Sequence, residues 1–147
     1  MTKVRPDTIA AWTSLVSVSG ALLERIEEAL KSAGLPPLSW YDALLEIEKA
    51  EPDGLRPFEL KERLLLPQYS TSRLLARIEK AGMIERQSCE DDGRGQVIVL
   101  TEAGRTTRQR MWPVYAEQLS HLIEERLPAG ERQQLADLLG KLKAPVP

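Results

Sequence analysis

The sequence is poor in cysteine, histidine and aromatic residues. Its 147 residues include one cysteine, Cys89, and one histidine, His121, and aromatic residues make up 5% of the chain. A single thiol cannot form a disulfide within the chain, which excludes a small domain stapled by disulfides. One histidine with scattered carboxylates on a helix is more often a surface feature than a metal site, so we expect no bound metal.

Long apolar runs are also missing. No uninterrupted apolar stretch approaches the roughly 20 residues that a membrane-spanning helix needs. The segment from Met1 to Pro6 lacks the apolar core of a signal peptide. We therefore expect a cytoplasmic protein with no membrane partner.

Sequence signatures of common enzyme classes are absent as well. There is no glycine-rich phosphate loop, no HExxH motif, no cysteine and histidine cluster and no nucleophile elbow. These absences predict a protein that is not an enzyme and that holds no cofactor.

Length and composition favour one folded domain over residues 1–147, because 42% of the residues are apolar. The net charge of −2 argues against a generic nucleic-acid binder. The charge is unevenly distributed, however. Residues 56–110 hold 11 Lys/Arg and 8 Asp/Glu, whereas the rest of the chain holds 9 and 14. This modest basic excess lies in the centre of the chain.

The N-terminal part has the apolar spacing of helices. Apolar residues recur every three or four positions over 8–32, and Gly34 with the prolines after it ends that helix. Ser39 is a suitable N-cap for a second helix through Ala50, with Asp42 completing a partial capping box. Pro57 suits the first turn of a short third helix over 57–64.

The spacing of apolar residues changes from helical to strand-like after the fourth predicted helix. Residues 68–82 form a fourth helix with Leu74, Leu75 and Ile78 on one side and Gly82 at its end. Two short strands then follow over 83–88 and 96–100, and the glycines and acids between them form a hairpin tip.

The C-terminal part returns to the helical period. Thr101 caps a long helix to about Arg126 that contains Pro113, and a last helix covers 130–143. The predicted fold is therefore mainly α, in the order α-α-α-α-β-β-α-α. Its centre is a helix-turn-helix followed by a wing.

Three runs of this sequence resemble the MarR-type (multiple antibiotic resistance regulator) family. They are Glu59-Leu60 through Leu64, Ser72-Arg73-Leu74-Leu75 through Arg86, and Asp92-Gly93-Arg94 through Leu100-Thr101-Glu-Ala-Gly104. Their order and spacing carry the resemblance, which covers about residues 10–143. Pro67-Gln68-Tyr69 departs from the family pattern, which often has smaller residues before the recognition helix.

The resemblance implies a division of labour along the chain. Residues 38–112 would form the winged helix-turn-helix, with a recognition helix at 68–82 and a wing at 83–100. Residues 8–34 and 113–145 would form dimerisation helices. A two-fold homodimer would bind double-stranded DNA at a palindromic operator.

Polar side chains on the predicted recognition helix are candidates for contact with DNA, because the N-terminal part of such a helix reaches base edges in the major groove. Arg73 and Arg77 lie one turn apart and suit a guanine edge or a phosphate. Arg86 suits a phosphate, and Arg94, oriented by Asp92, suits the minor groove. The simpler alternatives are a solvated helix face and a local Asp–Arg pair. The full candidate set is Gln68, Tyr69, Ser70, Thr71, Ser72, Arg73, Arg77, Arg86, Asp92 and Arg94.

An effector site is a further implication of the resemblance, because such regulators bind small aromatic or phenolic ligands beside the dimerisation helices. Arg108 could meet an anionic ligand. The alternative is that large aromatic residues at helical spacing belong to the core or an interface. The candidates are Trp12, Trp40, Tyr41, Arg108, Trp112 and Tyr115.

The interpretation is therefore a MarR-type repressor that a small aromatic ligand releases from DNA. The alternative function is a winged-helix module for protein interaction or dimerisation, without sequence-specific DNA binding. A redox role for Cys89 is the less favoured reading, because no cation flanks the thiol and the following acids would raise its pKa.

Overall fold

The computed structural model describes residues 1–88 and 95–145, and the chain divides into two compact units. The central unit comprises residues 27–114, and the terminal unit comprises residues 1–26 and 115–147. Each unit is described by itself below.

The first two helices are α1, Pro6–Ser32, and α2, Leu38–Lys49. Gly34 has a φ of 70° and ends α1, as predicted, because glycine adopts this left-handed conformation without strain. The prediction that Ser39 caps α2 is wrong, since Pro37 is the N-cap and offers no side-chain acceptor. Instead, Glu27 Oε1 of α1 accepts a 2.5 Å hydrogen bond from the Leu38 N–H.

The helix-turn-helix consists of α3, Pro57–Arg63, and α4, Thr71–Lys80. Glu59 Oε1 accepts a 3.0 Å hydrogen bond from the Arg56 N–H at the start of α3. The recognition helix is shorter than the predicted 68–82. Ser70 is its N-cap, and Ser70 Oγ accepts a 3.2 Å hydrogen bond from the Arg73 N–H. Gln68 and Tyr69 therefore precede the helix.

The wing is an antiparallel hairpin of β1, Ile84–Ser88, and β2, Gln96–Leu100. Its register pairs Ile84 with Leu100 and Ser88 with Gln96. Leu55 forms an isolated antiparallel bridge to β2, in which it exchanges two backbone hydrogen bonds with Ile98, at 3.1 and 2.7 Å. The predicted strands are confirmed to within a residue.

A single apolar core joins these elements. Each helix and strand of the helix-turn-helix and wing contributes the side chains of one face to this core. The other faces are therefore turned toward solvent. Burial of each such leucine or isoleucine contributes roughly 1.5–3 kcal/mol. The core residues are Ala43, Leu44, Ile47, Leu55, Leu60, Leu74, Leu75, Ile78, Ile84, Ile98 and Leu100.

A hydrogen-bonded clip joins the end of α4 to α5, Glu102–Leu119. Thr101 Oγ1 donates to the Gly82 carbonyl oxygen at 2.7 Å and accepts from the Gly104 N–H at 3.1 Å. The Thr101 N–H also donates to the Met83 carbonyl oxygen at 3.1 Å. The predicted role of Thr101 as a cap is confirmed, and the clip explains why threonine and glycine stand three residues apart here.

Gly104 is buried where α5 passes the Met83 carbonyl. A Cβ at this position would overlap that oxygen and lie 2.8 Å from Leu100 Cδ1. We expect Gly104→Ala to lower the free energy of unfolding by about 1–3 kcal/mol, because backbone has to move to relieve the contact. Urea denaturation measures this change. Gly140→Ala is the matched control, since nothing lies within 4 Å of a Cβ there; equal stability of the two variants would contradict the packing argument.

The terminal unit contains the first part of α1, the end of α5, a π-helical turn and α6. The turn covers Ser120–Glu124, and α6 covers Ala129–Lys143. The helix predicted to about Arg126 is therefore α-helical to Leu119 and π-helical from Ser120 to Glu124. The change of period appears in the hydrogen bond from the Glu125 N–H to the Ser120 carbonyl, 2.9 Å long, which spans five residues.

An apolar groove of about 570 Å³ lies within the terminal unit. It runs between α1 and α6, with Ile123 of the π-helical turn as a further wall. Two serines are the polar residues in its lining, so the surface of the groove is almost entirely hydrocarbon. The lining residues are Ala11, Ser14, Leu15, Val18, Ser19, Leu22, Ile123, Leu135, Leu138, Leu139 and Leu142.

Among the described residues, α1 is the one helix whose length and mean hydropathy of 1.2 reach the range of a membrane span. Uninterrupted apolar runs do not reveal this helix, because serine and threonine residues interrupt the apolar stretch of α1. Signal sequences and helices that pack against protein share this length and hydropathy.

Candidate nucleic-acid interface

The recognition helix has two opposite faces. Leu74, Leu75 and Ile78 are buried in the core, whereas Arg73 and Arg77 are exposed. Within residues 1–88 and 95–145, neither guanidinium is paired with a carboxylate. The two cations are four residues apart and therefore share a helix face. This face can present two arginines to an anionic partner.

The segment before α4 adds two more of the predicted residues. Tyr69 is 101% exposed. Gln68 is half-buried, and its Nε2 donates to the Leu66 carbonyl oxygen at 3.3 Å. Thr71 is half-buried and Ser72 is exposed in the first turn of α4, beside the free backbone N–H groups that attract phosphate.

Of the predicted DNA-contact residues in the wing, the structure describes Arg86 alone. Arg86 of β1 is half-buried, and its Nε lies 3.2 Å from Glu79 Oε1 of α4, so a phosphate would share this cation with a carboxylate. Asp92 and Arg94 lie outside the described residues, as does Cys89, so their predicted roles stay predictions. Arg56 was not anticipated: its guanidinium occupies the space that a side chain would need at Gly95, the residue before β2.

The predicted effector residues do not all lie in one unit. Tyr41 and Trp112 stack in the central unit, with ring centroids 6.1 Å apart and planes at 21°. Trp40 packs against the core of the same unit. Trp12, which is 65% exposed, and Tyr115 belong to the terminal unit. The structure thus joins two of the predicted aromatics directly.

Arg108 already has an anionic partner within the protein. Its Nε lies 2.5 Å from Glu48 Oε2, although the N–H does not point at that oxygen, and its Nη2 donates to Glu48 Oε1 at 3.3 Å. The contact is an ion pair, because opposite charges attract whatever the direction of the N–H. An anionic ligand would have to compete with Glu48. No local sequence pattern predicts this pair, because its members are 60 residues apart.

Arg105 extends this ion-pair network from α5 to the end of α2. Its Nη1 lies 2.8 Å from Glu51 Oε1 and 3.0 Å from Glu48 Oε1, and its Nη2 lies 2.5 Å from Glu51 Oε2. The hydrogen bond from Arg105 lowers the pKa of Glu51 below its ordinary 4.5, and it raises the pKa of Arg105 in return. The network fixes α5 to α2.

The lowered pKa of Glu51 makes stability depend on pH. Because its pKa is lower in the folded state, the ionised pair stabilises the fold above the unfolded pKa, and that contribution is lost as the pH falls through the folded pKa. We expect the wild type to lose more stability than Glu51→Gln between about pH 6 and about pH 3. Urea denaturation at both pH values measures the free energy of unfolding of the two proteins. An equal loss of stability in the wild type and in Glu51→Gln would rule out a contribution from the pair.

His121 lies in the π-helical turn of the terminal unit. Its Nδ1 is 2.9 Å from Glu125 Oε1, and its Nε2 is 3.8 Å from Glu117 Oε1. The hydrogen bond with Glu125 raises the pKa of His121. Over the described part of the chain, no three His, Cys, Asp or Glu side chains are grouped to hold a metal ion.

A helix-turn-helix with an exposed arginine face, followed by a two-stranded wing, defines the winged-helix class. The family model described as MarR family matches residues 33–95. An uncharacterised HTH-type transcriptional regulator of Bacillus cereus is 30% identical over 95% of this chain and 92% of its own length. The transcriptional repressor MprA of Escherichia coli K12 is 30% identical over 82% of this chain and 68% of its own.

Solved structures agree with these sequence matches. The MarR family regulator AbsC of Streptomyces coelicolor has a TM-score of 0.83 and 26% identity, covering 97% of this chain and 95% of that one. Sco3205 of the same organism, solved in complex with DNA, has a TM-score of 0.86 and 22% identity over 97% and 89%. At that identity the likeness shows the fold alone. The chain belongs to the MarR family of transcriptional regulators, and it is a regulator rather than an enzyme.

Proposed function

We propose that this regulator is a cytoplasmic, homodimeric repressor that binds a palindromic DNA operator. The observation that carries the proposal is the exposed face of α4, where Arg73 and Arg77 lie opposite the buried leucines. A helix with this division can enter the major groove while its apolar side stays in the core. The candidate DNA contacts are those predicted above, with Arg94 of the wing in the minor groove.

Named relatives support the DNA-binding and repressor parts of the proposal. MprA is a transcriptional repressor. Sco3205 is bound to DNA in its structure, and a MarR mutant from Escherichia coli is complexed with operator DNA. The latter has a TM-score of 0.82 and covers 97% of this chain.

The terminal unit supports the dimer. Leu138 is 56% exposed, and Val18, Leu135 and Leu142 are exposed around the same groove. Monomeric proteins rarely leave contiguous apolar surface of this kind in water. A second copy of the chain would cover it and would place two α4 helices on two half-sites, about 34–36 Å apart.

Release by a small aromatic ligand completes the proposal. Trp112 stacks on Tyr41 yet remains 45% exposed, so it offers part of its surface to a planar ligand. A ligand would release DNA only if it bound the non-DNA-binding arrangement more tightly. Thermal shift with phenolic acids tests this. Stabilisation that Trp112→Ala abolishes supports it, whereas no stabilisation across a broad panel contradicts it.

Titration against the intergenic DNA beside its own gene, at two salt concentrations, tests the main proposal. We expect sequence-specific binding that weakens steeply with salt, because each neutralised phosphate adds about 0.9 to the slope of log K against log salt. A shuffled duplex of equal length is the control. Equal affinity for both duplexes, or no salt dependence, would contradict the proposal and favour a protein-interaction module instead.

A further inference from the structure

A buried carboxylate lies beneath the connection between α3 and α4. Asp42 of α2 is 7% exposed, and it is the one charged side chain among the described residues to be this deeply buried. Its Oδ2 accepts a 2.8 Å hydrogen bond from the Leu66 N–H, 24 residues away in sequence. Burying a carboxylate is costly unless it is hydrogen-bonded, so this contact accounts for its place in the fold.

The connection, residues 64–70, has few other hydrogen bonds, although Leu64 at its start packs against the core. The Leu64 N–H continues α3 by donating to the Leu60 carbonyl at 3.1 Å, and Ser70 caps α4. Between these ends, Leu66 has the one backbone N–H with a protein acceptor in the described structure. The middle of the connection is therefore held by Asp42.

Leu66 in turn holds Gln68, which precedes the recognition helix. Gln68 Nε2 donates to the Leu66 carbonyl at 3.3 Å. A chain of hydrogen bonds thus leads from Asp42 through Leu66 to Gln68, whereas the neighbouring Tyr69 is fully exposed. Arg73 and Arg77 are held differently, since they are part of α4 itself.

We propose that Asp42 is a positioning residue for sequence discrimination, acting through Leu66 on Gln68. The inference rests on the proposed function, because it concerns how the same interface distinguishes base pairs. A side chain discriminates only when its donors and acceptors are held in one geometry, whereas attraction to phosphates tolerates movement. Asp42 therefore affects the choice of operator sequence more than the salt dependence of binding.

The test measures binding to the preferred operator and to a panel of its single-base-pair variants. We expect Asp42→Ala to reduce discrimination about tenfold at the base pairs nearest the start of α4, with an unchanged salt slope. Asp42→Asn keeps an acceptor oxygen and should retain most of the discrimination. Asp53→Ala, which removes an exposed carboxylate from the same unit, is the control.

Circular dichroism shows whether each variant is folded. If Asp42→Ala does not fold, Asp42→Leu replaces it, because a leucine fills the buried volume without leaving a charge. A second measurement repeats the Asp42 substitution in a Gln68→Ala background. Positioning predicts that the two losses are not additive, since Asp42 acts through the hydrogen bond between Leu66 and Gln68.

The outcomes separate the two proposals. Wild-type protein without sequence preference overturns both. A wild type that discriminates, with an Asp42→Ala variant that discriminates equally well, overturns the positioning role alone. A loss that is uniform across all base pairs, or additive with the loss in Gln68→Ala, also overturns it.

Discussion

Leu138→Glu is expected to produce a monomer that has lost operator binding. Leu138 lines the apolar groove of the terminal unit and is 56% exposed in a single chain. A carboxylate there costs little in the isolated chain but would be buried without a partner in a dimer interface. Losing the second DNA-binding unit removes the gain from two linked contacts, which is about 100-fold to 10,000-fold in affinity.

Sedimentation equilibrium and operator titration measure the two halves of this prediction. Ala136→Glu is the matched control, because it adds the same charge to α6 at an exposed position that does not line the groove. We expect it to remain a dimer with wild-type affinity. A Leu138→Glu protein that is still dimeric and binds the operator normally would place the interface elsewhere.

Replacing the exposed arginines of α4 is expected to have the next largest effect. Arg73→Ala and Arg77→Ala should each weaken operator binding by about 1–3 kcal/mol and leave the dimer intact. Their guanidinium groups are exposed on one face, and their removal takes no packing from the core, which uses Leu74, Leu75 and Ile78.

The pattern of loss assigns the contact that each arginine makes. A phosphate contact predicts a uniform loss across sequences and a salt slope that falls by about one, whereas a guanine contact predicts relaxed specificity at one base pair. Arg110→Ala, which removes an exposed cation from α5, is the control. Unchanged affinity in both α4 variants would show that another face meets DNA.

Local sequence patterns predicted most of the fold. Helical spacing located α1, and the run of β-branched residues at Val97, Ile98 and Val99 located β2. These features depend on the nearest neighbours along the chain, so a periodic pattern is sufficient to find them. The order of the elements then indicated a winged helix.

Errors arose where a distant residue supplies the deciding contact. Ser39 looks like an N-cap, yet Glu27 of the preceding helix satisfies the start of α2. Asp42 looks like part of that cap, yet its partner is Leu66. Arg108 looks available to a ligand, yet Glu48 pairs with it. No periodicity in the sequence encodes contacts across such separations.

The candidate site was predicted as a set of residues but not as a geometry. Spacing alone placed Arg73 and Arg77 on one face, as the structure does. It could not separate Gln68 and Tyr69 from the helix, because the choice of Ser70 as the cap depends on the Arg73 N–H. Their roles in binding stay predictions that the experiments above test.

The clip at Thr101 has a consequence for how the protein opens. Since one hydroxyl bonds both the end of α4, at Gly82, and the first turn of α5, at Gly104, neither element can separate without breaking the same contact. Amide hydrogens in these two stretches should therefore exchange with solvent as one cooperative unit. A disturbance that begins in α5 would then reach α4 by loosening it rather than by moving it intact.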